Sequence, residues 1–294
     1  MTELTFASGM KLFRSKQFEA LYTQSVAALQ RNPKNPLAFF LIAMIADVQG
    51  EPVKAMELFA KAAEHGPGNL YYEAYLARSL AALGHFTQAK RHAGRAAKIG
   101  ANDAFMADMI GFVYSRAGDH ETAIPFFQDA VARDPKWPLF QFNLGASAEF
   151  LGDFDTARSA YAGAVQANPK FYRGWFALAA LEKQTADNNR LSDLEAIYAG
   201  LSGDADAQLL IGHAIAKTLE DLGRYEDSYN WLEICKSAKR EEVGFERDEL
   251  SKSFKLVSSR SGPPQAPQTP PTNEAPIFIV GLPRTGTTLV DRII

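Results

Sequence analysis

The chain has 294 residues, of which 47% are hydrophobic and 22% are charged, and its formal net charge is −3. This composition is ordinary for a globular protein with a sizeable buried core. Lysines and arginines are interspersed with acids, so the sequence shows neither a nucleic-acid footprint nor a basic membrane-binding patch. Cys235 is the only cysteine, which excludes an intrachain disulfide and a cysteine-based metal cluster.

Two features of the sequence favour a cytoplasmic protein. Residues 1–17 lack the apolar core of a secretion signal. The longest apolar run, residues 37–46, is too short to cross a bilayer and suits a buried helix. The histidines show no metal-ligand spacing, so we expect no bound metal, no nucleic-acid partner and no membrane partner.

The chain repeats with a period of 34 residues. Prolines, glycines and alanines each recur at this step, and several independent columns in one register are hard to obtain by chance. A fixed period near 34 residues indicates an array of helix–turn–helix units. The columns are Pro33, Pro67, Pro135 and Pro169; Gly50, Gly84, Gly118 and Gly152; Ala55, Ala89, Ala123 and Ala157; Ala28, Ala62, Ala96, Ala130 and Ala164.

Each column has a physical reason. Small residues in mid-helix let the two helices of a hairpin approach closely. A glycine between the helices can end the first one in a left-handed conformation, and a proline after the second helix stops it at little cost. Larger residues at core-facing spacings should fill the interior: Phe59, Tyr114, Phe127, Leu144, Tyr161 and Leu178.

Residues 111–135 and 145–169 resemble the tetratricopeptide repeat (TPR). The resemblance implies an all-α fold, a right-handed superhelix of about seven helical hairpins over residues 1–242. The first repeat departs most, with Lys16 in the glycine column, and residues 184–190 interrupt the sixth. The first five repeats occupy 2–35, 36–69, 70–103, 104–137 and 138–171, the sixth begins at Tyr172, and the last unit spans 209–240.

In such arrays the first helix of each hairpin lines a concave surface that usually binds a partner segment. Two interpretations of the side chains in this register stay open. They bind an apolar or extended peptide, or they simply pack against the next repeat or a following domain. The register places there Phe40, Met44, Tyr71, Arg78, Phe105, Asp108, Phe112, Phe142, Phe150 and Phe176.

Beyond the array the composition changes. Residues 243–260 read as a connecting amphipathic helix with Phe245, Leu250, Phe254 and Leu256 as apolar contacts. Residues 261–276 contain six prolines and predict an extended linker. Residues 277–294 follow as the start of another domain.

This last segment reads as strand, glycine-bearing loop and helix start. Residues 277–280 form a short apolar strand, and GLPRTGTT (residues 281–288) leads into LVDRII. Free backbone N–H groups and the helix dipole make such a loop an anion-binding site. A nucleotide triphosphatase needs a lysine where Thr287 stands, which disfavours a P-loop nucleotide enzyme, the weakest of the three alternatives.

PIFIVGLPRTGTTLVDRII (residues 276–294) closely resembles the 5′-phosphosulfate loop of bacterial sulfotransferases that carry amino-terminal tetratricopeptide repeats, and more loosely that of tyrosylprotein sulfotransferases. The resemblance implies 3′-phosphoadenosine 5′-phosphosulfate (PAPS) as co-substrate. Arg284 would bind the phosphosulfate and neutralise charge on the bridging oxygen. The 5′-phosphate would be held by main-chain N–H groups and hydroxyls of Thr285, Gly286, Thr287 and Thr288.

Two functions from different classes remain. The chain is the amino-terminal part of a sulfotransferase whose array recruits or positions the acceptor hydroxyl, or it is a non-catalytic adaptor with a vestigial sulfotransferase tail. The sequence ends at Ile294, inside the first helix of the second domain, and no residue can be assigned as the base for the acceptor. We therefore expect this polypeptide to be incomplete and inactive alone.

Overall fold

The computed structural model describes residues 4–244, 251, 252, 254–256 and 259. Every regular element in these residues is an α-helix. Met1–Val243 form one compact unit and Gly244–Ile294 a second. The anion-binding segment predicted for residues 277–294 and the linker at 261–276 lie outside the described residues. The predicted connecting helix is described only in part.

The first unit consists of helices of about three to five turns. They begin at positions that repeat with the 34-residue period, at residues 36, 70, 104, 138 and 172 for one series and at 18, 52, 86, 120 and 154 for the other. The helices are α1 Phe6–Arg14, α2 Phe18–Arg31, α3 Pro36–Val48, α4 Pro52–His65, α5 Leu70–Ala82, α6 Phe86–Ile99, α7 Ala104–Arg116, α8 His120–Arg133, α9 Pro138–Phe150, α10 Phe154–Ala167, α11 Tyr172–Leu181, α12 Leu191–Ala199, α13 Ala205–Asp221 and α14 Tyr225–Val243.

Consecutive helices pair into hairpins, and the second helix of one hairpin packs on the first helix of the next. The sixth hairpin differs because α11 ends at Leu181 and α12 begins only at Leu191. Both of its helices pack on α13, and the main chain of the intervening segment is tied to α13 through the Gln184 N–H, which donates to Asp221 at 2.8 Å. The array therefore continues across the interruption.

Side-chain caps repeat with the same period. The side chains of Asn35, Asn69 and Asp103 accept backbone N–H groups at the starts of α3, α5 and α7. Asp119 and Asp153 do so at the starts of α8 and α10. An Asx cap satisfies one of the otherwise unpaired donors of a first turn and contributes about 1 kcal/mol. The sequence thus marks helix starts as regularly as helix ends.

Small residues set the separation of the helices within each hairpin. The side chains of Ala123 and Ala157 have no exposed surface. A Cβ atom added to Gly145 would lie 2.6 Å from the Tyr161 ring, and one added to Gly111 would lie 2.9 Å from the Phe127 ring. No real Cβ contact is that short, so these glycines let a large aromatic ring pack directly on the facing backbone.

The turn between the two helices has one backbone geometry throughout. Gly118 and Gly152 in this turn have φ of 76° and 80°. Lys16, which occupies the same column in the first repeat, also has a positive φ of 56°. The first hairpin therefore keeps the left-handed turn although its residue is strained there, which costs about 1 kcal/mol relative to glycine.

We predict that Lys16→Gly raises the free energy of unfolding by about 1 kcal/mol, because glycine adopts this φ without strain. Gly118→Ala should lower it by a similar amount, since the space around Gly118 is open and only the backbone conformation opposes a Cβ. Equilibrium denaturation at fixed pH measures both. Lys16→Ala is the control and should give no gain; a gain equal to that of the glycine variant would contradict the strain at this turn.

Candidate functional site

The predicted partner surface divides into buried and exposed parts. Phe40 has no exposed surface and Met44 is buried. The prediction that these two side chains face a partner is wrong. Phe40 is covered by Phe6 from the first repeat, at 6.1 Å between ring centroids, and by Tyr72 from the third, at 5.2 Å. Aromatic side chains on both neighbouring hairpins therefore take Phe40 into the core.

The remaining predicted residues lie on four consecutive first helices, α5, α7, α9 and α11. We call these side chains the first-helix surface. All of them retain some contact with solvent, although Asp108 is largely buried. They are Tyr71, Arg78, Phe105, Asp108, Phe112, Phe142, Phe150 and Phe176.

At the α5 end, an ion pair joins neighbouring repeats. Arg78 donates to the carboxylate of Asp47 on α3. Its guanidinium carbon lies 5.3 Å from the ring centre of Tyr75, within cation–π range. Tyr71 stacks on Phe6 at 4.8 Å, and its hydroxyl accepts from Asn102 at 3.3 Å. This end is polar and tied to its neighbours.

In the centre, an acid lies between two aromatic residues of α7. Phe105, Asp108 and Phe112 follow one another at i, i+3 and i+7, so they share one face of the helix. Phe105 is 49% exposed and Phe112 is half-buried, whereas Asp108 is only 7% exposed. The Asn143 amide on α9 donates to the Asp108 carboxylate at 2.8 Å. Burial raises the pKa of Asp108 to about 6, although the Asn143 hydrogen bond acts in the opposite direction.

Next along the surface, Phe142 holds a guanidinium. The guanidinium carbon of Arg173 on α11 lies 4.4 Å from the Phe142 ring centre. Phe142 also packs against Tyr161 and Phe171, each with ring centroids 5.5 Å away. Phe176 is 36% exposed. An aromatic ring of this surface thus already binds one cation of the chain itself.

The most exposed aromatic residue lies at the end of α9. Phe150 is 69% exposed and stacks on the His120 ring with centroids 3.9 Å apart. The His120 Nδ1 lies 3.1 Å from the Ser147 hydroxyl. Burial lowers the pKa of His120, so the ring is neutral at pH 7 and stacks without a charge to desolvate.

The sequence reasoning missed three residues that complete this surface. They are Asp47, Asn143 and Arg173, each in contact with a predicted residue on the next or preceding repeat. Arg173 stands in the same 34-residue column as Tyr71 and Phe105, so the repeat register could have identified it. Asp47 and Asn143 required knowledge of which first helices lie side by side.

The predicted cofactor residues Arg284, Thr285, Gly286, Thr287 and Thr288 lie outside the described residues. Within the described part of the chain, no group of three histidine, cysteine or acidic side chains could hold a metal ion. The helices of that part include none with the length and apolarity that crossing a bilayer requires.

We predict that Asp108→Asn stabilises the protein at neutral pH. The raised pKa means that the folded state holds this proton more tightly than the unfolded state, whose carboxyl titrates near 3.8. The wild-type protein therefore loses stability as the pH rises from about 4 to above 6. Asparagine carries no charge to desolvate, so the variant should gain about 1–3 kcal/mol at pH 7.5 and nothing at pH 4.

Denaturation of both proteins across this pH range measures the difference. Asp129→Asn, at the exposed Arg133 ion pair of α8, is the control and should change the free energy of unfolding by less than about 1 kcal/mol at either pH. A loss of stability for Asp108→Asn at pH 7.5 would contradict an uncompensated charge at Asp108.

A family model of the tetratricopeptide repeat matches residues 23–69 and 109–170, and a second model of the same repeat matches residues 72–95. All three matches fall within the helical hairpins of the first unit. No curated protein matches the chain.

Solved structures with similar folds are also tetratricopeptide-repeat proteins. A chain of the APC/C hetero-tetramer Cut9–Hcn1 is 16% identical over 78% of this chain and 42% of its own length, with a TM-score of 0.52. YrrB, a TPR protein with an unusual peptide-binding site, is 14% identical over 70% of this chain and 96% of its own, with a TM-score of 0.48. TTC0263, a thermophilic TPR protein of Thermus thermophilus, is 22% identical over 60% and 95%, with a TM-score of 0.47.

At these identities the likeness to the Cut9–Hcn1 chain concerns the fold alone. It agrees with the matched repeat models and with the 34-residue spacing of the helix starts. Together they show that the chain contains an array of tetratricopeptide repeats.

Proposed function

We propose that the first-helix surface binds a segment of a partner protein. The observation that supports this most is the exposure of aromatic side chains on successive first helices, with Phe105, Phe150 and Phe176 each at least a third exposed. Aromatic side chains supply large contact areas at low cost in conformational entropy, and they are enriched at interface hot spots. Their spacing by repeats suits a segment that runs along several hairpins.

The polar groups of the same surface support selectivity. Arg78 and Asp47 pair with each other across repeats, and Arg173 covers one ring. Interfaces combine apolar anchors with a polar rim that fixes register. The alternative, that first-helix side chains only pack within the fold, holds for Phe40 and Met44, which are buried.

Selection of random 12-residue peptides on the immobilised full chain tests this proposal. We expect binders whose affinity falls at least tenfold with the double variant Phe105→Ala, Phe176→Ala, because each buried aromatic contact contributes about 1–3 kcal/mol. The matched control is Tyr225→Ala, Tyr229→Ala on α14, which removes two other exposed aromatic side chains. Equal losses in both double variants, or no binders at all, would contradict the proposal.

A second candidate function is sulfuryl transfer, with the array positioning a protein acceptor. Its support is the sequence GLPRTGTT at residues 281–288, which combines a glycine-bearing anion loop with Arg284 in place of the lysine of nucleotide triphosphatases. PAPS would be the co-substrate. Charge stabilisation dominates such transfers, and an arginine beside free backbone N–H groups supplies it. The alternative is a TPR adaptor with a vestigial tail. For either function we propose a cytoplasmic location.

The two candidates differ in what Arg284 does. If the loop binds the donor nucleotide, Arg284→Ala should weaken the binding of adenosine 3′,5′-bisphosphate at least tenfold, through loss of charge-assisted hydrogen bonds. Isothermal titration calorimetry on the full chain measures the affinity. Arg292→Ala, in the same segment but outside the loop, is the control and should bind normally. Unchanged affinity in the Arg284 variant, or a preference for ATP, would count against the enzyme and in favour of the adaptor.

A further inference from the structure

We propose that Asp108 is an anchoring site for one cationic side chain, arginine or lysine, of the segment bound on the first-helix surface. The inference rests on the binding role proposed above and gives the partner a chemical requirement. Three properties of the site carry it: a buried acid without a cation, aromatic neighbours on the same helix face, and one neutral donor that orients the carboxylate.

The missing cation distinguishes Asp108 from the other buried acid of the described residues. Glu73 is 5% exposed and has two basic neighbours, with His92 Nδ1 at 2.6 Å and Arg95 Nη1 at 3.7 Å. Asp108 is buried to the same degree, yet none of the ion pairs in the described part of the chain includes it. A buried carboxylate without a cation carries an uncompensated desolvation cost, which an arriving cation would offset.

Asn143 satisfies only part of this carboxylate. Its amide donates one hydrogen bond at 2.8 Å, the only one that a side chain makes to the Asp108 carboxylate within the described residues. An ionised carboxylate has about four acceptor positions on its two oxygens. The amide therefore fixes the orientation of the group and leaves acceptor capacity for a guanidinium or an ammonium.

The aromatic neighbours suit the same ligand. Phe105 and Phe112 lie one turn before and one turn after Asp108 on the same face of α7. Neither ring has a basic side chain over it among the described residues, whereas Phe142 on the next first helix carries Arg173 at 4.4 Å. A cation seated at Asp108 would gain cation–π attraction from these rings in addition to the ion pair.

The affinity of a selected peptide and of its citrulline analogue tests the inference. From the selection on the full chain, we take a binder that is sensitive to the Phe105, Phe176 double variant. Each of its arginines is replaced in turn by citrulline, which keeps the shape and removes the charge. One such replacement should weaken binding to the wild-type protein about tenfold or more, as expected for a close charge pair at an interface.

The same peptide pair should bind Asp108→Asn with affinities within about twofold of each other, because no charge remains to be matched. Asp129→Asn is the control and should keep the full arginine preference. Thermal unfolding at pH 7.5 checks that the Asp108 variant is folded, and the citrulline effect on the wild-type chain is a test that needs no variant.

Two results would overturn the inference while leaving the proposed function in place. In one, binders that depend on Phe105 and Phe176 carry no arginine or lysine whose charge affects affinity. In the other, the arginine preference persists in Asp108→Asn. If instead no binder depends on Phe105 and Phe176, the proposed function itself fails and the inference fails with it.

Discussion

Close approach of the two helices of each hairpin is the constraint on which the rest of the molecule depends. Where Gly111 and Gly145 stand, a single added carbon would meet an aromatic ring at less than 3 Å. The small-residue columns therefore fix the separation and rotation of every helix pair. That rotation decides which side chains of the first helices point into the stack and which remain available to a partner.

The same geometry has a cost at one position. It buries Asp108 with an amide as its neighbour and without a cation, and the raised pKa records the energetic penalty. An apolar or amide side chain would be cheaper for the fold. Sites of this kind, where stability is lost for no structural gain, are typical of binding positions, because the partner supplies the compensation. The stability of the free array and the specificity of its surface are thus linked through one carboxyl group.

Much of the fold could be predicted from the sequence because it is periodic. Helix starts, proline stops and glycine turns recur at 34 residues, and the interruption at residues 184–190 is visible as a break in that period. The turn at Lys16 could not be predicted, since lysine rarely adopts a positive φ and only the neighbouring helices impose it. Phe40 was misassigned because its burial depends on Phe6 and Tyr72, from the hairpins on either side. The Asp108–Asn143 contact likewise joins residues 35 positions apart, which no local pattern reveals.

The most direct test of this account is the ionisation of the Asp108 carboxyl in the free protein, followed by carbon NMR of the side-chain carboxyl through a pH titration, with Asp108→Asn used to assign the signal. An uncompensated buried acid should titrate near the value of about 6. A midpoint near 4, the ordinary value of an exposed aspartate, would show that the charge is already compensated and would contradict the account.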